Sequence, residues 1–196
     1  MTQFESLSKL LDGLVVAYGR EEREGAALAV AALKDVKTKE YRRTTSTVDP
    51  EPVLLNACAL PNALPICAEI LGCNKLLDWT CWEGKGLSSS VSARLFSTEL
   101  VGPDGHFPSP AVRVGLLVSE PLTDYPISSH SGEETYFVIA GEAKWAQGDA
   151  CYRSHSPGEF VHHPAWMPHG RRTDVEPFLG AWRWSGDLDL ATFSVD

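Results

Sequence analysis

Near Asn74 the hydrophobic period of this chain changes from three-and-four to two, and this switch limits the folds open to it more than any other feature. Upstream, Leu7, Leu10, Leu11, Leu14, Val15 and Tyr18 recur at the spacing that gives a helix one apolar stripe, with Gly19 as a stop. An alanine-rich run carrying Leu28, Val30 and Leu33 predicts a second helix over about residues 23–36. Asp49 and Pro50 read as the N-cap and first position of a third helix that ends by Pro61, and Pro65 opens a fourth that runs to Gly72. Downstream, Leu77, Trp79 and Cys81 alternate with polar residues, as do Val112, Val114, Leu116 and Val118, which marks strands with one buried face. Turn residues follow at short intervals: Gly102-Pro103, Pro108, Pro126, Gly141, Gly148, Pro157-Gly158 and Pro164. Many short strands of this kind predict a sandwich or barrel. The expectation is a mainly β fold in a single domain over residues 1–196: a helical layer, 1–73, packed on a β-barrel, 74–196. A chain of 196 residues suits one domain of ordinary size.

Charge narrows the partners. Twenty-six acidic residues against seventeen Lys and Arg leave a formal charge of -9, which repels phosphate backbones and anionic lipid heads. Neither nucleic acid nor a membrane is expected as partner. Residues 1–20 contain no apolar run of the length an export signal needs, and Ala26 to Leu33 is far too short to span a bilayer, so the expected location is cytoplasmic. The five cysteines, Cys58, Cys67, Cys73, Cys81 and Cys151, are odd in number and form no CxxC pair. They read as reduced thiols, outside any disulfide framework or zinc ribbon.

The stretch from Tyr125 to Gly141 carries the chemistry. Ser128, His130, Glu134 and Tyr136 share one strand parity and so project to one side. A carboxylate facing a core is costly unless it is paired or bound to a cation, and a metal beside Glu134 and His130 relieves that cost. A second cluster ends at His169, the strongest candidate for a further ligand, after a Pro-rich turn. Imidazole nitrogens with a carboxylate oxygen suit one divalent ion: zinc, iron(II), manganese or nickel. His162 and His163 alternate faces, so at most one looks inward, and neither is chosen as a ligand. His106 and His155 sit among Gly, Pro and Ser and read as solvated loop residues.

These residues resemble the two cupin motifs. Ser128, His130, Glu134 and Gly141 occupy the positions of the first, with serine where the motif has its first histidine. Gly158, Pro164, Trp166, His169 and Thr173 occupy those of the second, with Trp for a glycine and Thr for an asparagine. The resemblance implies a cupin jelly-roll barrel, here with a helical N-terminal extension. The segments Glu99 to Gly105, Tyr125-Pro126, Glu133 to Tyr136 and Trp182 to Leu188 also resemble the short cupin-type dimethylsulfoniopropionate (DMSP) lyases. That likeness implies a metal held by His130, Glu134, Tyr136 and His169, with Tyr125 or Tyr136 as the catalytic base. It implies β-elimination of a small carboxylate substrate to dimethyl sulfide and acrylate. Trp166, Trp182 and Trp184 lie near the motifs as candidate aromatic faces for a sulfonium head. A homodimer stays open. So do a different metal-dependent cupin enzyme, a dioxygenase or isomerase, and a cupin that binds a small ligand without catalysis.

Overall fold

A computed structural model describes residues 1–36, 39–43, 45–149 and 151–195. The N-terminal helices follow the predicted periodicity, with boundaries set by capping. Helix α1 (Gln3–Tyr18) starts at Thr2, whose hydroxyl accepts the Glu5 N–H at 3.2 Å while the Glu5 carboxylate accepts the Thr2 N–H at 2.6 Å. This reciprocal cap satisfies two otherwise unpaired donors. Of its predicted stripe, Leu7, Leu10, Leu11, Leu14 and Tyr18 are buried and Val15 is half-buried. Helix α2 (Glu24–Asp35) packs against it. Helix α3 (Glu51–Cys58) begins one residue after the predicted start, because Asp49 Oδ1 accepts the Glu51 N–H at 3.0 Å and Pro50 stays outside the helix. Helix α4 (Cys67–Cys73) and the single turn α5 (Ser89–Ser92) complete the set. Among the described residues no helix is long and apolar enough to cross a membrane, and all five cysteines carry free thiols.

The strands are β1 (Thr80–Cys81), β2 (Leu95–Gly102), β3 (Phe107–Pro108), β4 (Arg113–Ser119), β5 (Asp124–Ser129), β6 (Glu133–Ala140), β7 (Ala143–Gln147), β8 (Arg153–His155), β9 (Phe160–His163), β10 (His169–Thr173), β11 (Phe178–Ser185) and β12 (Ser194–Val195). They form two sheets of a jelly-roll barrel. One has the order β1-β2-β4-β11-β6-β9, with β3 beside β2; the other has the order β12-β5-β10-β7-β8. The chain between β5 and β6 thus passes from one sheet to the other, carrying residues 130–132 across the barrel.

Two strand expectations are corrected. Only Thr80 and Cys81 pair in the 77–81 segment, since residues 74–76 form a tight 3₁₀ turn and Trp79 is tied to it by its Nε1–H, which Asn74 Oδ1 accepts at 2.9 Å. Strand β4 is buried on both faces, not one. Val114, Leu116 and Val118 join the core beneath the helices, whereas Leu117 looks into the barrel beside Tyr136 and Trp182. Helices covering the outer face of a sheet abolish the polar side that alternation normally serves.

A buried ion cluster fastens the helical layer to the barrel. Arg183 on β11 is fully buried and donates to both carboxylate oxygens of Glu21, at 2.9 and 2.6 Å, and to Glu133 at 2.8 Å. Burial pushes the Glu21 carboxyl up, but hydrogen bonds and charge from Arg183, with help from Thr135 and Arg23, outweigh it and hold the group below its ordinary value. A carboxyl lowered in the folded state stabilises the fold above its unfolded pKa, about 4.3, and that contribution disappears as the pH falls through the folded value. Glu21→Gln is therefore expected to cost about 1.5–3 kcal/mol at pH 7, the range for a hydrogen bond to a charged group. Denaturant melts should show the gap between wild type and variant narrowing below about pH 4. An equal gap at pH 7 and pH 3 would refute the linkage.

Candidate active site

His130, Glu134 and His169 meet inside the barrel, with one donor atom from each within 4.8 Å of the others. His130 comes from the turn between the sheets, Glu134 from β6 and His169 from the first position of β10. All three are almost wholly buried. Glu134 Oε2 lies 3.4 Å from His130 Nε2 and 3.5 Å from His169 Nε2. Each imidazole is oriented from behind: His130 Nδ1 lies 2.9 Å from the Gly132 carbonyl oxygen and His169 Nδ1 lies 2.8 Å from that of Met167. A carbonyl can only accept, so both Nδ1 atoms carry the proton and turn Nε2 toward Glu134. Trp184 stacks on the His130 ring at 3.9 Å, and its Nε1–H is accepted by Glu134 Oε1 at 2.7 Å, leaving Oε2 facing the imidazoles. Burial raises the Glu134 carboxyl, but the two imidazoles outweigh it and hold it well below the usual carboxylate range. The result is an ionised carboxylate and two oriented nitrogens converging on one point, a donor set that fits a divalent first-row ion or zinc.

His130 and Glu134 edge a small cavity walled by Trp82, Tyr125, Tyr136, Arg171, Trp182 and Phe193, and His169 stands behind them. The Tyr125 hydroxyl accepts the Trp82 Nε1–H at 3.2 Å. Burial, and then the charge of Glu134, push the Tyr125 phenol up to about 12; the same causes push that of Tyr136 well above its ordinary value. Trp182 and Trp184, candidate aromatic faces in the sequence, are among the residues that line this cavity.

Other expectations change. The shared parity of residues 128–136 does not belong to one strand: Ser128 lies on β5 and Glu134 on β6, and they converge because the inner faces of the two sheets oppose each other. Ser128 pairs across the sheet with His169, and its buried hydroxyl makes no hydrogen bond among the described residues. Thr173, in place of the motif asparagine, accepts the Thr123 N–H at 2.9 Å and donates to the Glu120 carbonyl at 2.7 Å, anchoring the turn before β5. His106, expected in solvent, is buried. Its Nε2 accepts the Asp78 N–H at 3.2 Å, and its Nδ1 lies 2.9 Å from the Arg42 carbonyl oxygen.

Trp166 is 59% exposed and does not line the cavity, contrary to the expectation of an aromatic face. Its φ of +62° explains both this and the glycine of the motif: the turn after Pro164 needs a left-handed residue there, and it points the side chain outward. A left-handed L-residue costs about 1–2 kcal/mol, whereas glycine's extra unfolded-chain entropy costs about 0.4–1 kcal/mol. Trp166→Gly should raise stability by up to about 1 kcal/mol. A lower melting temperature for the variant would show that the indole packs after all.

Two residues escaped the sequence reading. His163 is the inward member of its pair, fully buried, stacked on His169 at 4.1 Å, with neither ring nitrogen hydrogen-bonded among the described residues. Its pairing opposite Glu134 across β6 and β9 was the missing signal. Arg171, two residues beyond His169, shares its parity and also faces inward.

A jelly-roll barrel holding two histidines and a glutamate at these motif positions defines a cupin. The DMSP lyase family model matches residues 56–180, and the chain belongs to that family. DMSP lyase DddQ of Ruegeria pomeroyi is 33% identical over 110 residues, 56% of this chain and 55% of that protein. The putative DMSP lyase DddL of Cereibacter sphaeroides is 33% identical over 90 residues, 45% of this chain and 37% of its own. The matches thus span about half or less of the length of these relatives. Among solved structures, a chain from the DMSP lyases RdDddP and RnDddQII superposes with a TM-score of 0.75 at 20% identity, covering 100% of both chains. The crystal structure of DddQ from Ruegeria pomeroyi gives 0.73 at 24% identity, over 97% of this chain and 96% of that one. Both likenesses speak for the fold.

Proposed function

We propose that this chain is a metal-dependent lyase that cleaves dimethylsulfoniopropionate to dimethyl sulfide and acrylate by β-elimination. The carrying observation is the His130–Glu134–His169 donor set, of which His130 and Glu134 line a cavity that also holds two phenols, in a member of the DMSP lyase family. His130, Glu134 and His169 would hold the ion, with Tyr136 as a fourth ligand. A bound divalent cation supplies Lewis acidity toward a substrate carboxylate and favours ionisation of a nearby phenol.

Tyr125 is the base. Its oxygen takes the proton from the carbon next to the carboxylate, the C–H electron pair becomes the new C=C bond, and the β-carbon–sulfur bond breaks. Dimethyl sulfide leaves with the sulfur electron pair, acrylate remains, and Tyr125 later returns its proton to solvent. The Trp82 N–H directed at the Tyr125 oxygen favours the anionic form. The rings of Trp182 and Trp184 line the cavity and would offer aromatic faces to a sulfonium head. The barrel interior limits water around the reacting atoms.

A headspace assay over metal-loaded protein tests this: dimethyl sulfide and acrylate should appear in equal amounts. No acrylate from fully metallated protein would reject the reading. The unpartnered Ser128 hydroxyl, where the motif has histidine, favours the second reading, a cupin that binds a small carboxylate without cleaving it. Saturable binding without turnover would support that one.

A further inference from the structure

We propose that Arg171 is the anion anchor of the cavity, a guanidinium that takes the carboxylate of the substrate and restricts the site to molecules bearing one. It rests on the proposed lyase reading for the identity of the substrate, but not for the presence of an anion site.

The three most buried arginines make the case by comparison. Arg183 is paired with Glu21 and Glu133, and Arg113 with Glu99 and Asp104. Arg171 is just as buried, at 3% exposure, yet no carboxylate among the described residues lies within ion-pair distance of it. Its hydrogen bond is to Ser119 Oγ, at 3.3 Å. Four aromatic rings surround the guanidinium carbon: Phe178 at 4.9 Å, Trp145 at 5.1 Å, Tyr136 at 5.5 Å and Tyr125 at 5.6 Å. Such rings offset part of the cost of removing a cation from water and hold its plane in place, but they accept no N–H hydrogen bond as strong as a carboxylate does. A buried cation left without a counter-anion is costly, and the cost is relieved when an anion arrives.

Position adds direction. Arg171 lines the cavity alongside Tyr125 and Tyr136, and its charge acts on both phenols. A planar fork of donors matches a carboxylate in two parallel bonds. In a zwitterionic substrate the anionic end is drawn to Arg171 and the sulfonium is repelled from it, so the charge orients the molecule as well as holding it. Neutral esters and amides of the same acid lose this attraction.

The test uses metal-loaded protein and two non-reacting probes, propionate and propionamide, with binding read by tryptophan fluorescence. Metal content is measured on the same samples. Wild type should bind propionate at least 10-fold more tightly than propionamide. Arg171→Met should lose that preference at unchanged metal content, and Arg171→Lys should keep part of it because charge survives without the fork. Because a bound cation also attracts a carboxylate, the same comparison is run on metal-free wild type and Arg171→Lys, where loss of the preference from metal-free wild type would equally overturn the proposal. Equal affinity of wild type for the two probes would overturn the proposal, as would undiminished propionate binding in Arg171→Met or a loss that only follows loss of metal. Failure to release dimethyl sulfide, with Arg171-dependent propionate binding intact, would reject the lyase reading and leave the anchor standing.

Discussion

Glu134→Ala is expected to empty the metal site and bring lyase turnover down to background. Glu134 is the one anionic donor of the triad and faces both imidazoles, lying 3.4 and 3.5 Å from their Nε2 atoms. Even residues that only orient a ligand cost about 10–100-fold in metal affinity when removed, so loss of the ligand itself should exceed 100-fold. The fold should survive. Removing a buried carboxylate also removes the cost of burying it, and the principal debt is the Trp184 N–H left without its acceptor, about 1–3 kcal/mol. Glu134→Gln gives the matched control: it can still accept from Trp184 but carries no charge, so it should melt near wild type and still retain little metal. Elemental analysis per chain decides. Stoichiometric metal in both variants would show that the ion sits elsewhere or is not bound by this triad.

The parts of this structure that were legible in advance are those governed by local period and motif spacing. The stripe of α1 is buried as its spacing requires, because a helix that packs on one side must bury the residues three and four apart. His130, Glu134 and His169 meet as their motif positions implied. What was not legible depends on contacts distant in the chain. The alternation in β4 indicated a strand but not the helices that bury its second face. Period alone likewise gave no reason to place His163 in the core over His162, since that follows from its register opposite Glu134. Phe193 closes the cavity because β12 pairs with β5 across more than sixty residues of chain, bringing its ring 5.6 Å from Trp82 and 6.5 Å from His130. Trp166 illustrates the reverse: its spacing placed it correctly in the motif, but the sign of its φ sent the side chain to solvent. Nothing in the local pattern marks Arg171 as interior, since arginine is usually exposed, and only the surrounding rings reveal an interior cation.

Tyr125→Phe is expected to lower turnover by about 10²–10⁴-fold, the contribution typical of a positioned general base, with propionate binding and metal content close to wild type. The substitution removes one oxygen, keeps the ring against Phe193 and Arg171, and takes away the hydroxyl that Trp82 and Ser128 address. Without a bound cation the phenol stands at about 12, raised by burial and then by Glu134, so near pH 7 it is almost entirely protonated. A cation bound to Glu134 cancels that second cause, and Arg171 and the Trp82 N–H act in the same direction. Turnover of wild type should therefore rise with pH as the phenolate fraction grows toward the phenol's pKa in the loaded enzyme. Trp82→Phe removes a donor that favours the anion, raises that pKa and moves the rising limb to higher pH. Tyr125→Phe should lose the limb together with the rate, whereas Tyr136→Phe should keep it and lose metal instead. Acrylate formation measured across pH for the four proteins, with metal content alongside, separates these outcomes. Full activity and an unchanged limb in Tyr125→Phe would transfer the role of base to Tyr136 or to a group outside the pair.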